Sequence, residues 1–337
     1  MGIVIVRHIL LSLSLLLSGT AFHSTDAFER LPALPQRMAV LGDSMSEALF
    51  SNQSLENGLS SRELLRLLGI VSIRNPERRL EAFRGAYADH GKVWSSGDDP
   101  NSIVFSHLRR IRYLGKNLTA HNYAVSSSVV ADLSQQVDQL LNDQKELGFT
   151  FDYVTLIIGA NDFNVESLEE LPQVEAMAKE VGKELERIIE SNPGVAILWM
   201  GLPHILKIFK ETEDILVTSI LGKRYTCGEL RPLVYGKNVI FNTTNAEVET
   251  RVQQELFNYQ WQAVKLMDQL QQKHPAAFLK TIQGYGGFDN QYERMLAFDC
   301  FHPSEEGQAA LAEISWTYGF WGDTYGRLFD EDYAYSE

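Results

Sequence analysis

The sequence predicts an α/β fold: a three-layer α/β/α sandwich around a central, mostly parallel sheet. Three observations carry that reading. Short apolar runs alternate along the chain with long amphipathic segments. The runs are apolar throughout rather than alternating with polar residues, as in strands buried on both faces. Three of them end in Gly followed by polar residues, the form of a strand entering a βα turn.

In chain order, residues 1–27 come first. Arg7 precedes an apolar core from Ile9 to Leu17, and small residues follow, with cleavage points after Ala21 or Ala27. This is the pattern of a secretory signal peptide and is short for a membrane span, an uncleaved anchor being the alternative. Residues 28–337 are then expected to form a single domain, in a mature protein that is secreted or periplasmic. "MAVLG" (38–42) is the first strand, "YVTLIIG" (153–159) the second, and "VAILWMG" (195–201) the third, after the turn Asn192-Pro193-Gly194. "FLKTIQG" (278–284) is a weaker fourth. Between them, "LSQQVDQLLNDQKELG", "PQVEAMAKEVGKELERIIES" and "NAEVETRVQQELFNYQWQAVKLMDQLQQ" show helical periodicity, and a last helix is expected after Pro303.

Composition narrows the function. Of the 337 residues 45% are hydrophobic and 22% charged, which is globular. The formal net charge of −14 argues against nucleic acid as a partner and against simple electrostatic docking on an anionic membrane. Neither His-Glu-x-x-His nor Cys-x-x-Cys occurs, so no metal and no cofactor is expected. Cys227 and Cys300 suggest one disulfide in an oxidising compartment, with two separate buried thiols as the alternative. Asn-x-Ser/Thr sequons occur at Asn52, Asn117 and Asn242.

Chemistry concentrates at the strand ends. Gly42-Asp43-Ser44, Gly159-Ala160-Asn161-Asp162 and Gly201-Leu202-Pro203-His204 all follow apolar runs, on the edge where α/β proteins hold ligands. Any one of them alone reads equally as a capped loop. Asp299 and His302 stand three apart on the loop before the last helix, where a carboxylate can fix an imidazole tautomer and leave the second nitrogen free as a base.

Together, "GDSM" (42–45), "NYAVSSSVVADL" (122–133), "GAND" (159–162) and "DCFHPS" (299–304) resemble the SGNH/GDSL hydrolase superfamily, in its order and over most of the chain. The segment "RGAYADHGKVWSSGDDPNSIVFSHLRRI" (84–111) resembles the phospholipase B-like group within it. The resemblance implies a flavodoxin-like sheet and a carboxylic ester hydrolase. Ser44 aligns with the nucleophile, His302 with the general base and Asp299 with its orienting partner. The oxyanion hole is then the N–H of Ser44, the N–H of Ser127 and the side chain of Asn161, with Gly159 allowing close backbone approach. Ser127 stands where the family carries Gly; a backbone donor survives that change provided φ is negative.

The implied substrate is a small-molecule or lipid ester, above all fatty-acyl lipids such as (lyso)phospholipids, with membrane contact only transient. Carbohydrate or cell-wall O-deacetylation is an alternative for the same catalytic set, and a non-catalytic binding protein on the same fold is another. Asp43 reads as a turn residue and Trp94 as packing. His204 could touch substrate from its strand end. The aromatic, acidic tail from Trp316 reads as a docked or frayed end.

Overall fold

The structure is a computed structural model that describes residues 30–58, 60–220, 223–236, 238–241, 245–282 and 291–326. The predicted signal stretch, Gly284, the Asn242 sequon and tail residues 327–337 lie outside the described residues. The described residues from Leu31 onward form one unit.

The elements run β1 (Arg37–Gly42), α1 (Ser61–Val71), α2 (Pro76–Tyr87), α3 (His107–Tyr113), β2 (Thr119–Asn122), α4 (Leu133–Leu147), β3 (Tyr153–Ile157) and α5 (Val174–Ser191). Then follow β4 (Ala196–Met200), α6 (Ile205–Thr212), β5 (Leu216–Ile220), β6 (Lys223–Thr226), α7 (Cys227–Tyr235), α8 (Ala246–Lys273), β7 (Phe278–Ile282), α9 (Tyr292–Met295) and α10 (Glu305–Thr317). The main sheet has the order β2-β1-β3-β4-β7, and every pair in it is parallel. Helices cover both faces, giving the three-layer α/β/α architecture. The strand order reverses between β1 and β3, so the crevice beyond their carboxyl ends is the topological switch point of the sheet.

The four apolar runs are β1, β3, β4 and β7. Residues 38–41, 153–157 and 196–200 are buried, which explains why no polar alternation interrupts them. β7 is an edge strand and only half-buried, in keeping with its weaker apolar signal. The opposite edge, β2, reads Thr-Ala-His-Asn, half-buried and polar, and leaves no apolar run in the sequence.

A smaller second core stands beside the main one. Leu64, Leu67 and Ile70 of α1 pack with Leu49, Phe50, Tyr87, Val217, Leu230 and Phe298. The α1–α2 hairpin, the antiparallel β5–β6 pair and α7 meet there. Cys227 and Cys300 are joined by a disulfide in this cluster. The tail is docked as far as it is described: Trp316 and Trp321 are buried, and the Trp321 indole N–H donates to Pro32 O at 3.0 Å.

Candidate active site

β1 delivers Ser44. Gly42 has φ of 135°, and a Cβ there would lie 2.1 Å from Ile157 O, so only glycine fits between β1 and β3. Gln136 of α4 fastens this strand end: Gly42 N–H donates to its Oε1 and its Nε2 donates to Gly42 O, each at 2.8 Å. Asp43 then caps a short 3₁₀ turn, Ser44–Glu47, accepting from Met45 N–H at 3.0 Å. This is the turn-tying role expected of it. Its second oxygen is buried with no hydrogen-bond partner. Burial pushes the Asp43 carboxyl up to about 7, against the pull of the Met45 N–H and of His302.

The C-terminal motif closes on the same point. His302 Nε2 lies 2.7 Å from Ser44 Oγ across 258 residues of sequence. The other ring nitrogen, Nδ1, donates to Asp299 Oδ2 at 2.5 Å. Cys300 sits between them with φ of 63°, a left-handed conformation that tightens the loop. The tight loop lets Asp299 Oδ1 accept from the N–H groups of Phe301 and His302, at 3.3 and 3.1 Å. Burial alone would raise the Asp299 pKa. The charge and hydrogen bond of His302, the Tyr235 hydroxyl and the Phe301 N–H outweigh it and hold the carboxyl below its usual range.

Tyr235, at the end of α7, donates its hydroxyl to Asp299 Oδ2 and lies 3.2 Å from His302 Nδ1. Sequence reasoning missed it, and no spacing pattern points to it, since it stands 64 residues from its partner. Phe50 and Phe301 flank the imidazole at 5.4 and 5.0 Å between ring centroids.

The middle motifs line the other side. Asn161 Nδ2 donates to Ser128 O at 2.9 Å, which spends one of its two protons and leaves one for a ligand. Asp162 Oδ2 accepts from Val130 N–H at 3.0 Å, a second tie between these two loops, and burial pushes its carboxyl up to about 6. Gly159 has φ of 112°, and its missing Cβ makes room for the Tyr259 ring, 2.7 Å from where that atom would lie. The close approach expected at Gly159 is therefore to a side chain of α8.

Ser127 corrects the sequence reading. Its φ is +66°, not the negative value on which a backbone donor was premised, so a non-glycine residue occupies the left-handed region there. The residue before it is held from β1's side: Glu47, fully buried, accepts from Ser126 N–H at 2.6 Å and Oγ–H at 2.5 Å. Glu47 also pairs with Arg84 of α2 at 2.6 Å. A buried carboxylate with this many donors fixes the Ser126–Ser127 turn against the turn carrying Ser44.

Ser44, Ser127, Asn161 and His302 line one cavity of about 660 Å³. Its remaining walls are largely apolar: Leu49 and Phe50, Leu80 and Phe83 of α2, Phe209 of α6, and Leu233 and Val234 of α7. His204 is exposed and not among its lining residues, so the structure does not bring it to the site. His107 is buried between Tyr153 and Ser315, at 2.7 and 2.8 Å, and Trp94 packs edge-on against it. Among the described residues no group of His, Cys, Asp and Glu could hold a metal ion.

A buried serine hydroxyl, an imidazole within hydrogen-bond reach and a carboxylate behind it define a nucleophilic hydrolase site. The chain belongs to the GDSL-like Lipase/Acylhydrolase family, which matches residues 38–314, and is an ester hydrolase by that membership. Its fold is similar to that of TesA (12% identity, TM-score 0.42, covering 84% of this chain and 97% of that one). It is also similar to a family 2 carbohydrate esterase with a carbohydrate-binding domain from Corynascus thermopiles (Myceliophthora fergusii) (13%, 0.42, 85% and 65%). A third is a variant of Axe2, an acetyl-xylooligosaccharide esterase from Geobacillus Stearmophilus (13%, 0.41, 84% and 93%). No curated protein sequence matches the chain.

Proposed function

We propose that the protein is a secreted or periplasmic serine esterase that cleaves fatty-acyl esters, among them (lyso)phospholipids, with Ser44 as nucleophile. The observation that carries the acyl-lipid reading is the apolar cavity of about 660 Å³ over Ser44. Its aromatic and aliphatic walls suit a long alkyl chain, each buried methylene contributing about 0.8 kcal/mol. An acetyl group would leave that surface unused.

In this mechanism His302 Nε2 takes the Ser44 proton as Oγ attacks the acyl carbon. The oxyanion that forms is met by the free Nδ2 proton of Asn161 and by the N–H of Ser44. His302 then returns the proton to the leaving alkoxide, and the alcohol departs. Water then gives its proton to the same nitrogen as its oxygen attacks the acyl carbon; the bond to Ser44 Oγ breaks, His302 returns the proton to Oγ, and the fatty acid departs. Asp299 keeps Nδ1 protonated and stabilises the imidazolium in both halves. Secretion rests on the N-terminal sequence pattern.

The test is a chain-length series. Purified wild type and Ser44→Ala are incubated with p-nitrophenyl acetate, butyrate and palmitate and with a lysophospholipid. Ser44-dependent turnover that rises with acyl length is expected. Turnover of acetate alone would replace the lipid reading with a deacetylase, and a folded but inert wild type would leave a binding role.

A further inference from the structure

The net charge of −14 is unevenly distributed. Residues 61–87, the α1–α2 hairpin, carry six arginines against three glutamates. Arg62, Arg66, Arg74 and Arg78 are exposed, and none of the four has an ion pair among the described residues. Arg66 rests instead over the Tyr87 ring, 5.3 Å from its centroid. The sixth arginine, Arg84, is the one committed to Glu47.

The same surface is apolar where a solvated helix would be polar. α1 buries Leu64, Leu67 and Ile70 in the second core, which is a complete inward face. Its outward face then presents Leu65, 70% exposed, beside Arg62 and Arg66, with Leu68, 42% exposed, one turn on from Leu65. Residues three and four apart share a helix face, so 62, 65, 66 and 69 form one stripe. Gly69 adds no bulk to it, a Cβ there meeting nothing within 4 Å. Single exposed leucines need no explanation; leucines set among unpaired arginines on one helix are the composition of an interfacial segment.

Position completes the argument. Val71, at the end of α1, and Pro76 and Arg79, at the start of α2, line the cavity that holds Ser44. The turn of the hairpin is therefore the rim of the site. On α7, Leu233, 46% exposed, also lines this cavity.

We propose that the α1–α2 hairpin is a docking surface for an anionic lipid bilayer, with Leu65 and Leu68 entering the acyl boundary and Arg62, Arg66, Arg74 and Arg78 meeting lipid phosphates. Docking sets the rim of the cavity at the membrane surface, so an acyl chain passes from the bilayer to Ser44 without crossing bulk water. The acidic remainder of the chain is repelled by the same surface, which restricts contact to this face and sets its orientation. The proposal deepens the acyl-ester reading of the site and rests on it.

The experiment uses full-length Ser44→Ala protein, which leaves vesicles intact. It is sedimented with vesicles of phosphatidylcholine alone and of equal parts phosphatidylcholine and phosphatidylglycerol. Binding is expected to the mixed vesicles, to be weaker on phosphatidylcholine and to be released by salt. Each arginine near such a surface contributes roughly fivefold to partition, so Arg62→Gln/Arg74→Gln/Arg78→Gln should bind on the order of a hundredfold less. Leu65→Ser/Leu68→Ser should bind less to both kinds of vesicle.

In the catalytically intact chain, both sets of substitutions should leave turnover of a dissolved ester unchanged and lower turnover of vesicle-borne ester. Absent vesicle binding, or binding indifferent to both sets, overturns the proposal. So does self-association abolished by Leu65→Ser/Leu68→Ser without vesicle binding, which would make the face a protein interface. The underlying reading fails separately: hairpin-dependent binding by a wild type that cleaves no dissolved long-chain ester would keep the docking surface and discard the acyl-lipid substrate.

Discussion

Tyr235 donates its hydroxyl to Asp299 Oδ2, the oxygen that also receives His302 Nδ1–H. The Asp299 carboxylate is thus held by a residue of α7, outside the motifs that carry Ser44, Asp299 and His302. Tyr235→Phe deletes this bond while keeping the ring. A hydrogen bond to a charged group is worth about 1.5–3 kcal/mol, and part of that survives through the two backbone donors. A fall of about tenfold in kcat, with the larger part of the loss in kcat rather than KM, is expected from steady-state kinetics on a soluble ester, because the phenol holds the carboxylate that orients the imidazole.

Asn161 offers one side-chain proton to the cavity. Its loss in Asn161→Ala should lower kcat by about 10² to 10³, corresponding to about 2.7–4 kcal/mol of transition-state stabilisation. KM should move little. Circular dichroism and thermal unfolding check that the lost tie to Ser128 has not unfolded the loop.

Ser127 holds a left-handed backbone without being glycine. Such a conformation costs a residue with a Cβ about 1–2 kcal/mol. Glycine relieves that cost and loses part of the gain to its freer unfolded chain. Ser127→Gly should therefore be as stable as wild type or more so, by up to about 1 kcal/mol in urea unfolding. Activity should persist, since Asn161 and the Ser44 N–H are left in place. A loss of activity with stability intact would assign the hydroxyl a part in substrate positioning.

Asp43 should tie stability to pH. Its pKa rises from 3.8 to about 7 on folding, so the native state keeps a proton that the unfolded chain has released. Between those values the native state binds more protons, and stability falls as pH rises; above about 7 the difference is constant. Asp43→Asn removes this dependence and can keep the acceptor for Met45 N–H. Urea unfolding across that window should show wild type losing stability relative to the variant, on the order of 4 kcal/mol in all.

The Cys227–Cys300 disulfide closes a span of 73 residues and ties α7 to the loop carrying Asp299 and His302. A loop of that length stabilises the native state by about 4 kcal/mol through the unfolded chain's lost freedom. Cys227→Ser/Cys300→Ser should lose about that much in denaturant unfolding. Activity should also fall before global unfolding on warming, because the tether restrains both Tyr235 and the strained Cys300 turn.

The parts legible in sequence are those whose signal is contiguous. β1, β3 and β4 are apolar because both faces are covered, and Ser44, Asn161, Asp299 and His302 stand in short strings at the ends of elements. Other features depend on partners far away in the chain. Gln136 reaches Gly42 across 94 residues, and Glu47 reaches Ser126 across 79. β2 pairs as an edge with only four polar or small residues, and the second core assembles from scattered residues of α1, β5, α7 and the 297–300 loop, distant in the chain from one another. The sign of φ at Ser127 is a tertiary outcome, set where Glu47 anchors its neighbour. The net charge hid a local excess of the opposite sign, because a sum over 337 residues says nothing about one hairpin.

Ser44 lies in the first turn after β1, and His302, the base proposed for it, arrives 258 residues later. A polypeptide emerging from the ribosome therefore presents its hydroxyl group long before the imidazole that can activate it. Domains assemble as synthesis proceeds, from the N-terminus onward. Throughout that interval the chain has the serine and lacks the imidazole. The pair exists only once His302 has been made, so products truncated before it carry the hydroxyl without its imidazole partner.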